Sequence, residues 1–211
     1  LMLCEHKLME QRVQNYSLNC VKPSGVVKLG CFSVEFVHVN HSIPGSCALA
    51  INTPVGLVYH SGDFKIDLTP INGEMIDIPR ISEIGKRGVT LLLCESTNVE
   101  QEGYTMSEHV VGETLDRLFA DNAKRRLIVA TFATNVHRLQ QIINLAEKHK
   151  RKIAFSGRSM LNVVDAATRV NEISIPDNLL VDIEKIKNYA DKDLVIVSTG
   201  SQGEPMSALT R

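Results

Sequence analysis

Two rhythms of apolar and polar residues divide the chain. From residue 24 to 62 the apolar runs are short and strand-like, "GVVKLG", "FSVEFVHV", "CALAIN" and "GLVYHS", with Gly, Pro and Asn between them. Such runs, β-branched and bounded by turn residues, predict an antiparallel sheet. "NTPVG" between the last two suits a hairpin turn. Residues 67–88, "DLTPINGEMIDIPRISEIGKRG", predict a crossing loop with one short helix. Beyond residue 88 the period lengthens. "VTLLLCEST" reads as a buried strand, and "SEHVVGETLDRLFAD" carries Val110, Val111, Leu115, Leu118 and Phe119 at helical spacing. "RRLIVATF", "KIAFSG" and "KDLVIVSTG" read as strands. "NVHRLQQIINLAEKHK", apolar at 136, 139, 142, 143 and 146, and "SMLNVVDAATRVNEI" read as helices, with a further helix from about Glu204.

Strands that alternate with amphipathic helices imply a parallel sheet covered by helices. The expected organisation is therefore a β-rich part, residues 1–88, followed by a three-layer α/β part with a mainly parallel sheet, residues 89–211. In such sheets the working loops lie past the carboxyl ends of the strands. That places interest on "ESTN" (95–98), "TFATN" (131–135), "SGRS" (156–159) and "TGSQGE" (199–204).

Composition narrows the class. A chain of 211 residues, 44% hydrophobic and 22% charged, is long enough to bury a real core. With 23 Lys+Arg against 24 Asp+Glu, no global basic field advertises a polyanionic partner, so nucleic-acid binding would rest on a local site. Cys4, Cys20, Cys31, Cys47 and Cys94 are scattered, odd in number, mostly set among apolar neighbours and without a CxxC pair, as expected of buried, reduced thiols in a cytoplasmic protein. No apolar run reaches the roughly 18 residues of a membrane helix. Leucine at position 1 and an end at "MSALTR", which reads as the middle of a helix, suggest a fragment of a longer protein.

Candidate chemistry begins with "VNHSIPGSCALAINTPVGLVYHSGDFK", residues 39–65. His38 and His41 are three apart, so on a continuing strand they face opposite sides and would not both be ligands. His41 stands at a strand end where a loop can aim it into a cleft, or is a hydrogen-bonded structural histidine. Asp63, 22 residues later and beyond a hairpin, is a second ligand candidate, or an Asx-turn residue closing the strand. "TFATN" opens a helix at about Asn135, so the backbone N–H groups of Ala133, Thr134 and Asn135, with the Thr134 hydroxyl, could hold an anion. Asn135 alternatively reads as a plain helix N-cap. The glycines of "TGSQGE" could form a concave row of donors, and Arg158 could contact phosphates or cap the sheet.

The order and spacing of "HSIPGS", "GDFKIDLTP", "ESTNVE", "IVATFATNVHRLQQI", "RKIAFSGRSM" and "STGSQGEPMSAL" resemble bacterial ribonuclease J enzymes, the β-CASP branch of the metallo-β-lactamase superfamily. The resemblance covers essentially the whole chain. It implies part of a metallo-β-lactamase αββα half-domain, residues 1–88, followed by an incomplete β-CASP domain, residues 89–211. It implies a zinc-dependent ribonuclease, both endonuclease and 5′-to-3′ exonuclease, acting in RNA maturation and decay, with two zinc ions per full-length active site. Position by position, His41 matches the lone histidine ligand and Asp63 the carboxylate bridging the metals, whose anion offsets the repulsion of two cations roughly 3.5–4 Å apart. Glu95 matches the first acidic β-CASP position, generally aspartate in the family, which supports a metal-ligating histidine. Phe132, Ala133, Thr134, Asn135, Arg158, Ser201, Gln202 and Gly203 become the substrate-binding set, with Thr134, where the family usually has serine, on the RNA 5′-monophosphate. Gly45 stands where an acidic residue is expected.

The family's His-x-His-x-Asp-His motif has no counterpart among His6, His38, His41, His60, His109, His137 and His149. The expected site is therefore incomplete within this sequence, and the 211 residues alone are expected to be inactive. The full-length protein is expected to form a homo-oligomer or a paralogue hetero-oligomer. Two other readings stay open: a non-catalytic paralogue acting as a structural partner, and a nucleotide-binding α/β module.

Overall fold

The structure, a computed structural model, describes residues 17, 19–71, 74–201, 203 and 207–208. It divides into two compact units, the residues up to Glu108 and those from His109 onward. The sequence expectation of a helix from about Glu204 lies outside the described residues.

The first unit is built on a five-stranded sheet in the order β1 (Val26–Leu29), β2 (Phe32–His38), β3 (Cys47–Thr53), β4 (Gly56–His60), β5 (Leu91–Leu93). The first four strands pair antiparallel, and the hairpin expected at "NTPVG" joins β3 to β4, with Thr53 opposite Gly56. Alternation sorts the residues as the period-two rule demands. Val37, Ala48, Ala50, Leu57 and Tyr59 are buried together with Val39 and Ile76, and helix α1 (Ile78–Lys86) adds Ile84 to this core. Glu35 is buried among them, and its carboxylate receives Arg80 through Nε and Nη2, with Arg87 Nη1 3.6 Å away. These bonds hold its carboxyl below the usual range, Arg80 contributing most.

Strand β5 corrects the sequence reading. "VTLLLCEST" was expected as a buried strand of the α/β part. Instead Leu91–Leu93 pairs parallel with β4, Val58 opposite Leu91 and His60 opposite Leu93, and closes the first sheet. Its leucines are 49%, 58% and 45% exposed. An apolar run of this length announces a strand but carries no information on its sheet. Here α1 supplies the crossover that a parallel neighbour requires.

The second unit has a three-stranded, wholly parallel sheet in the order β6-β8-β7: β6 (Leu127–Ala130), β7 (Lys152–Ser156) and β8 (Leu194–Ser198). The central strand β8 is buried at every position, which explains its unbroken apolar run. Around the sheet are α2 (Glu108–Asp121), α3 (Val136–Lys148) and α4 (Arg158–Arg169). The five apolar positions read from the spacing of α3 are its buried residues, Val136, Leu139, Ile142, Ile143 and Ala146. Complete burial of a side chain such as Leu139 contributes about 1.5–3 kcal/mol. Two short 3₁₀ segments, Ile183–Asn188 and Asp191–Asp193, precede β8.

Arg151 is almost fully buried in this unit. Its guanidinium donates to the carbonyls of Asn122 and Arg125 at 2.8 Å each and of Leu194 at 3.2 Å, and lies 5.9 Å from the centre of the Phe119 ring. One side chain thus joins the end of α2, the turn that follows it and the start of β8. Among the described residues no helix is long and apolar enough to cross a membrane.

Candidate functional site

β2 and β4 are separated in the sheet by β3, yet past their ends the chain segments meet. Asn40 forms an antiparallel bridge with Lys65, whose N–H donates to Asn40 O at 2.8 Å. Two glycines shape the approach. Gly45 has φ +74° in the turn returning to β3, a conformation that glycine adopts without strain. Gly62, at φ +60°, has Cys47 O only 3.0 Å from where a Cβ would stand, so any side chain next to Asp63 would press on β3.

This folding brings two of the sequence candidates together. His41 Nε2 lies 3.9 Å from Asp63 Oδ2 and 3.4 Å from Ser42 Oγ. Their side chains are 29% and 72% exposed, so the pair is open to solvent and to a ligand. Glu95, just past β5, is the third member. Its carboxylate accepts the Thr97 N–H at 2.7 Å and the Phe64 N–H, next to Asp63, at 3.4 Å. The Thr97 contact does most to hold its carboxyl below the ordinary glutamate range; burial opposes this, and the charge of His41 adds to it. Ser61 completes the lacing between the ends of β4 and β5: its N–H donates to Leu93 O at 2.9 Å and its hydroxyl accepts the Glu95 N–H at 3.0 Å.

The donor set fits a zinc-like cation. An imidazole nitrogen and a carboxylate oxygen each about 2.0–2.1 Å from a tetrahedral ion stand roughly 3.4 Å apart, so the pair at 3.9 Å needs to close by about half an ångström. Among the described residues no group of three or more His, Cys, Asp or Glu side chains is placed to hold a metal. His41 and Asp63 offer two donors, fewer than the three or four protein ligands of a zinc site. His38 ends β2 opposite Cys47, and both its ring nitrogens are buried without a hydrogen-bond partner. The segment after Asp63 is fixed by buried Asp67, which accepts the N–H groups of Thr69 and Glu108 at 3.0 and 3.2 Å, with Lys65 Nζ 3.5 Å away.

The second unit keeps its own candidates past the carboxyl ends of its strands, where Ala130, Ser198 and Ser156 are aligned across the sheet. After β6, Phe132 and Thr134 are exposed and Ala133 and Asn135 buried. Asn135 is an N-cap: its Oδ1 accepts the Arg138 N–H at 3.1 Å, and its own N–H is used within the turn, on Phe132 O. Arg158 is exposed at the start of α4, and Ser201 and Gly203 are exposed after β8. Gln202 lies outside the described residues.

Sequence reasoning passed over Asn40 and Ser61. The backbone groups that the Asn40 carboxamide holds, and the Glu95 N–H that the Ser61 hydroxyl accepts, lie 34 or 36 residues away, so neither spacing nor residue type marks them.

The comparisons with known proteins agree along the chain. Residues 124–211 match a family model described as Ribonuclease J, beta-CASP domain. A Ribonuclease J of Synechocystis sp. is 50% identical over 200 residues, covering 94% of this chain and 31% of the relative. One of Mycobacterium tuberculosis is 41% identical over 211 residues, covering 100% of this chain and 38% of the relative. One of Thermus thermophilus is 39% identical over 197 residues, with coverages of 93% and 34%. The chain thus spans about a third of the length of these relatives. Among solved structures, a protein of unknown function from Enterococcus faecalis V583 superposes with a TM-score of 0.61 at 19% identity, covering 87% of this chain and 45% of that one. At that identity the likeness concerns the fold alone.

Proposed function

Because the chain belongs to the ribonuclease J family, whose members are metalloenzymes of the metallo-β-lactamase/β-CASP fold, we propose that it is the part of a zinc-dependent ribonuclease that supplies His41 and Asp63 to a two-zinc centre. The His41–Asp63 pair, held against Glu95 at the end of the first sheet, is the observation that carries this reading. Bound zinc supplies Lewis-acid stabilisation of charge on the phosphodiester and activation of water at neutral pH. The chain's own residues do the holding. His41 offers an imidazole nitrogen and Asp63 an exposed carboxylate. Glu95 keeps the Asp63 loop in place through the Phe64 N–H and maintains a negative charge facing His41.

The substrate is RNA, cut internally and trimmed from a 5′-monophosphate end. In the second unit the exposed Thr134 hydroxyl at the head of α3, with Phe132, Ala133, Arg158 and the 201–203 turn, contacts the 5′-phosphate and backbone. Asn135 acts by capping α3, which fixes the loop. The division into a metallo-β-lactamase part and a β-CASP part belongs to this reading, with its boundary moved from residue 88 to beyond β5, near Glu108, as do oligomerisation of the full-length protein and a cytoplasmic setting.

The test uses the full-length protein: zinc content, and cleavage of 5′-monophosphorylated RNA by wild type and Asp63→Ala. Cleavage by wild type and a loss of about 100-fold or more in the variant are expected, the upper range for disturbing a metal site. A folded wild type that does not cleave would make the protein a non-catalytic partner. The 211 residues alone, lacking most of the ligands, are expected to be inactive.

A further inference from the structure

His41 and Asp63 sit on segments that no strand pairing brings together, because β3 lies between β2 and β4. What holds them is a lock around one buried side chain. Asn40 is 9% exposed, and its carboxamide is engaged at both ends: Oδ1 accepts the Ile76 N–H at 2.9 Å and Nδ2 donates to Glu74 O at 2.6 Å. Its main-chain carbonyl accepts the Lys65 N–H at 2.8 Å, and one rung earlier the Asp77 N–H donates to His38 O at 3.1 Å. The amide therefore continues, with side-chain atoms, the backbone ladder that joins residues 38–40 to residues 74–77. Three segments meet at this residue, which directly precedes one candidate ligand and bridges to the loop of the other.

Few side chains could replace it. The passing segment presents an N–H and a C=O two residues apart, and a carboxamide of this length offers an acceptor and a donor together. Aspartate would set a carboxylate against Glu74 O. Alanine or leucine would leave the Ile76 N–H, in a buried setting, without an acceptor.

We infer that Asn40 is a positioning residue of the metal site: it holds His41 and the Asp63 loop within about half an ångström of the separation a single cation requires. This rests on the reading that His41 and Asp63 are ligands. The experiment measures zinc affinity by competition with a chromophoric chelator, and thermal unfolding of the metal-free protein, for full-length wild type, Asn40→Ala, Asn40→Leu, His41→Ala and Arg80→Met. Leucine keeps the volume without the hydrogen bonds, and Arg80→Met lowers stability through the Glu35 pair.

Zinc affinity is expected to fall about tenfold or more in both Asn40 variants, the range for groups that orient metal ligands, and to stay at the wild-type level in Arg80→Met at a comparable loss of melting temperature. Weakening in His41→Ala with wild-type affinity in both Asn40 variants overturns the inference and leaves the site standing. Equal weakening in Arg80→Met overturns it as well, since general destabilisation would then suffice. Wild-type affinity in His41→Ala overturns the reading of the site itself, and the inference with it.

Discussion

Replacing Glu95 by glutamine tests whether a carboxylate is needed to hold the Asp63 loop. The carboxylate accepts two backbone N–H groups, Thr97 at 2.7 Å and Phe64 at 3.4 Å. A glutamine would keep its carbonyl oxygen on the shorter contact and turn its NH₂ toward the Phe64 N–H, donor against donor. A hydrogen bond to a charged acceptor is worth about 1.5–3 kcal/mol, and solvent screening at this half-exposed, already long contact reduces that to about 1–2 kcal/mol. Aspartate, shorter by one bond of about 1.5 Å, would also release Phe64 while keeping Thr97 within reach. If that free energy measures how far the Asp63 loop drifts from its working position, kcat falls about tenfold, since about 1.4 kcal/mol is a factor of ten in rate. The assay is steady-state cleavage of 5′-monophosphorylated RNA by the full-length protein, with a thermal melt for folding. A Glu95→Gln variant within twofold of wild type in kcat would refute the clamp, and a change confined to KM would place Glu95 in substrate binding instead.

Three further outcomes follow from the packing. Arg151→Met fills the space but removes three charge-assisted bonds to carbonyls of Asn122, Arg125 and Leu194; relief of a buried charge offsets part of the loss, leaving a destabilisation of about 3 kcal/mol, read by denaturant titration with a probe in the second unit. Asn135→Ala loses the cap on α3 at about 1 kcal/mol, and a melting temperature equal to wild type would contradict it. The Glu35 carboxyl is held low in the folded protein by Arg80 and Arg87, so its contribution is complete above the ordinary glutamate pKa and is lost as pH falls through the lower folded value. Stability between neutral pH and about pH 3 should therefore drop less in Glu35→Gln than in wild type, measured by urea midpoints across that range, an identical drop counting against the ion pair.

Much of the fold was legible because its signals are local. Alternation announced β2, β3 and β4, and the spacing at 136, 139, 142, 143 and 146 named the buried face of α3 in full. The sheet to which Leu91–Leu93 belongs was not legible, since pairing with β4 depends on where α1 returns the chain and not on the leucines themselves. At the site, His41 and Asp63 were visible through their places at strand ends and through resemblance. Glu95 was visible as a carboxylate, while its grip on the Phe64 N–H became apparent only in three dimensions. Asn40, Ser61 and Arg151 exert their effect on backbone groups distant in sequence, where residue type gives no warning.

The place of β5 in the first sheet has a consequence for the order of folding. Strands β1 to β4 are joined by short connections, whereas residues 61–90 separate β4 from β5. Closing that loop costs about 2 kcal/mol more chain entropy than closing the two-residue turn of the β3–β4 hairpin. The meander should therefore form early, with β5 docking only after α1 has settled on the sheet. Glu95 arrives with β5, so the carboxylate that steadies Asp63 joins last, and a nascent chain would pass through a folded but unfinished state in which Asn40 already ties the His41 and Asp63 segments and Glu95 does not.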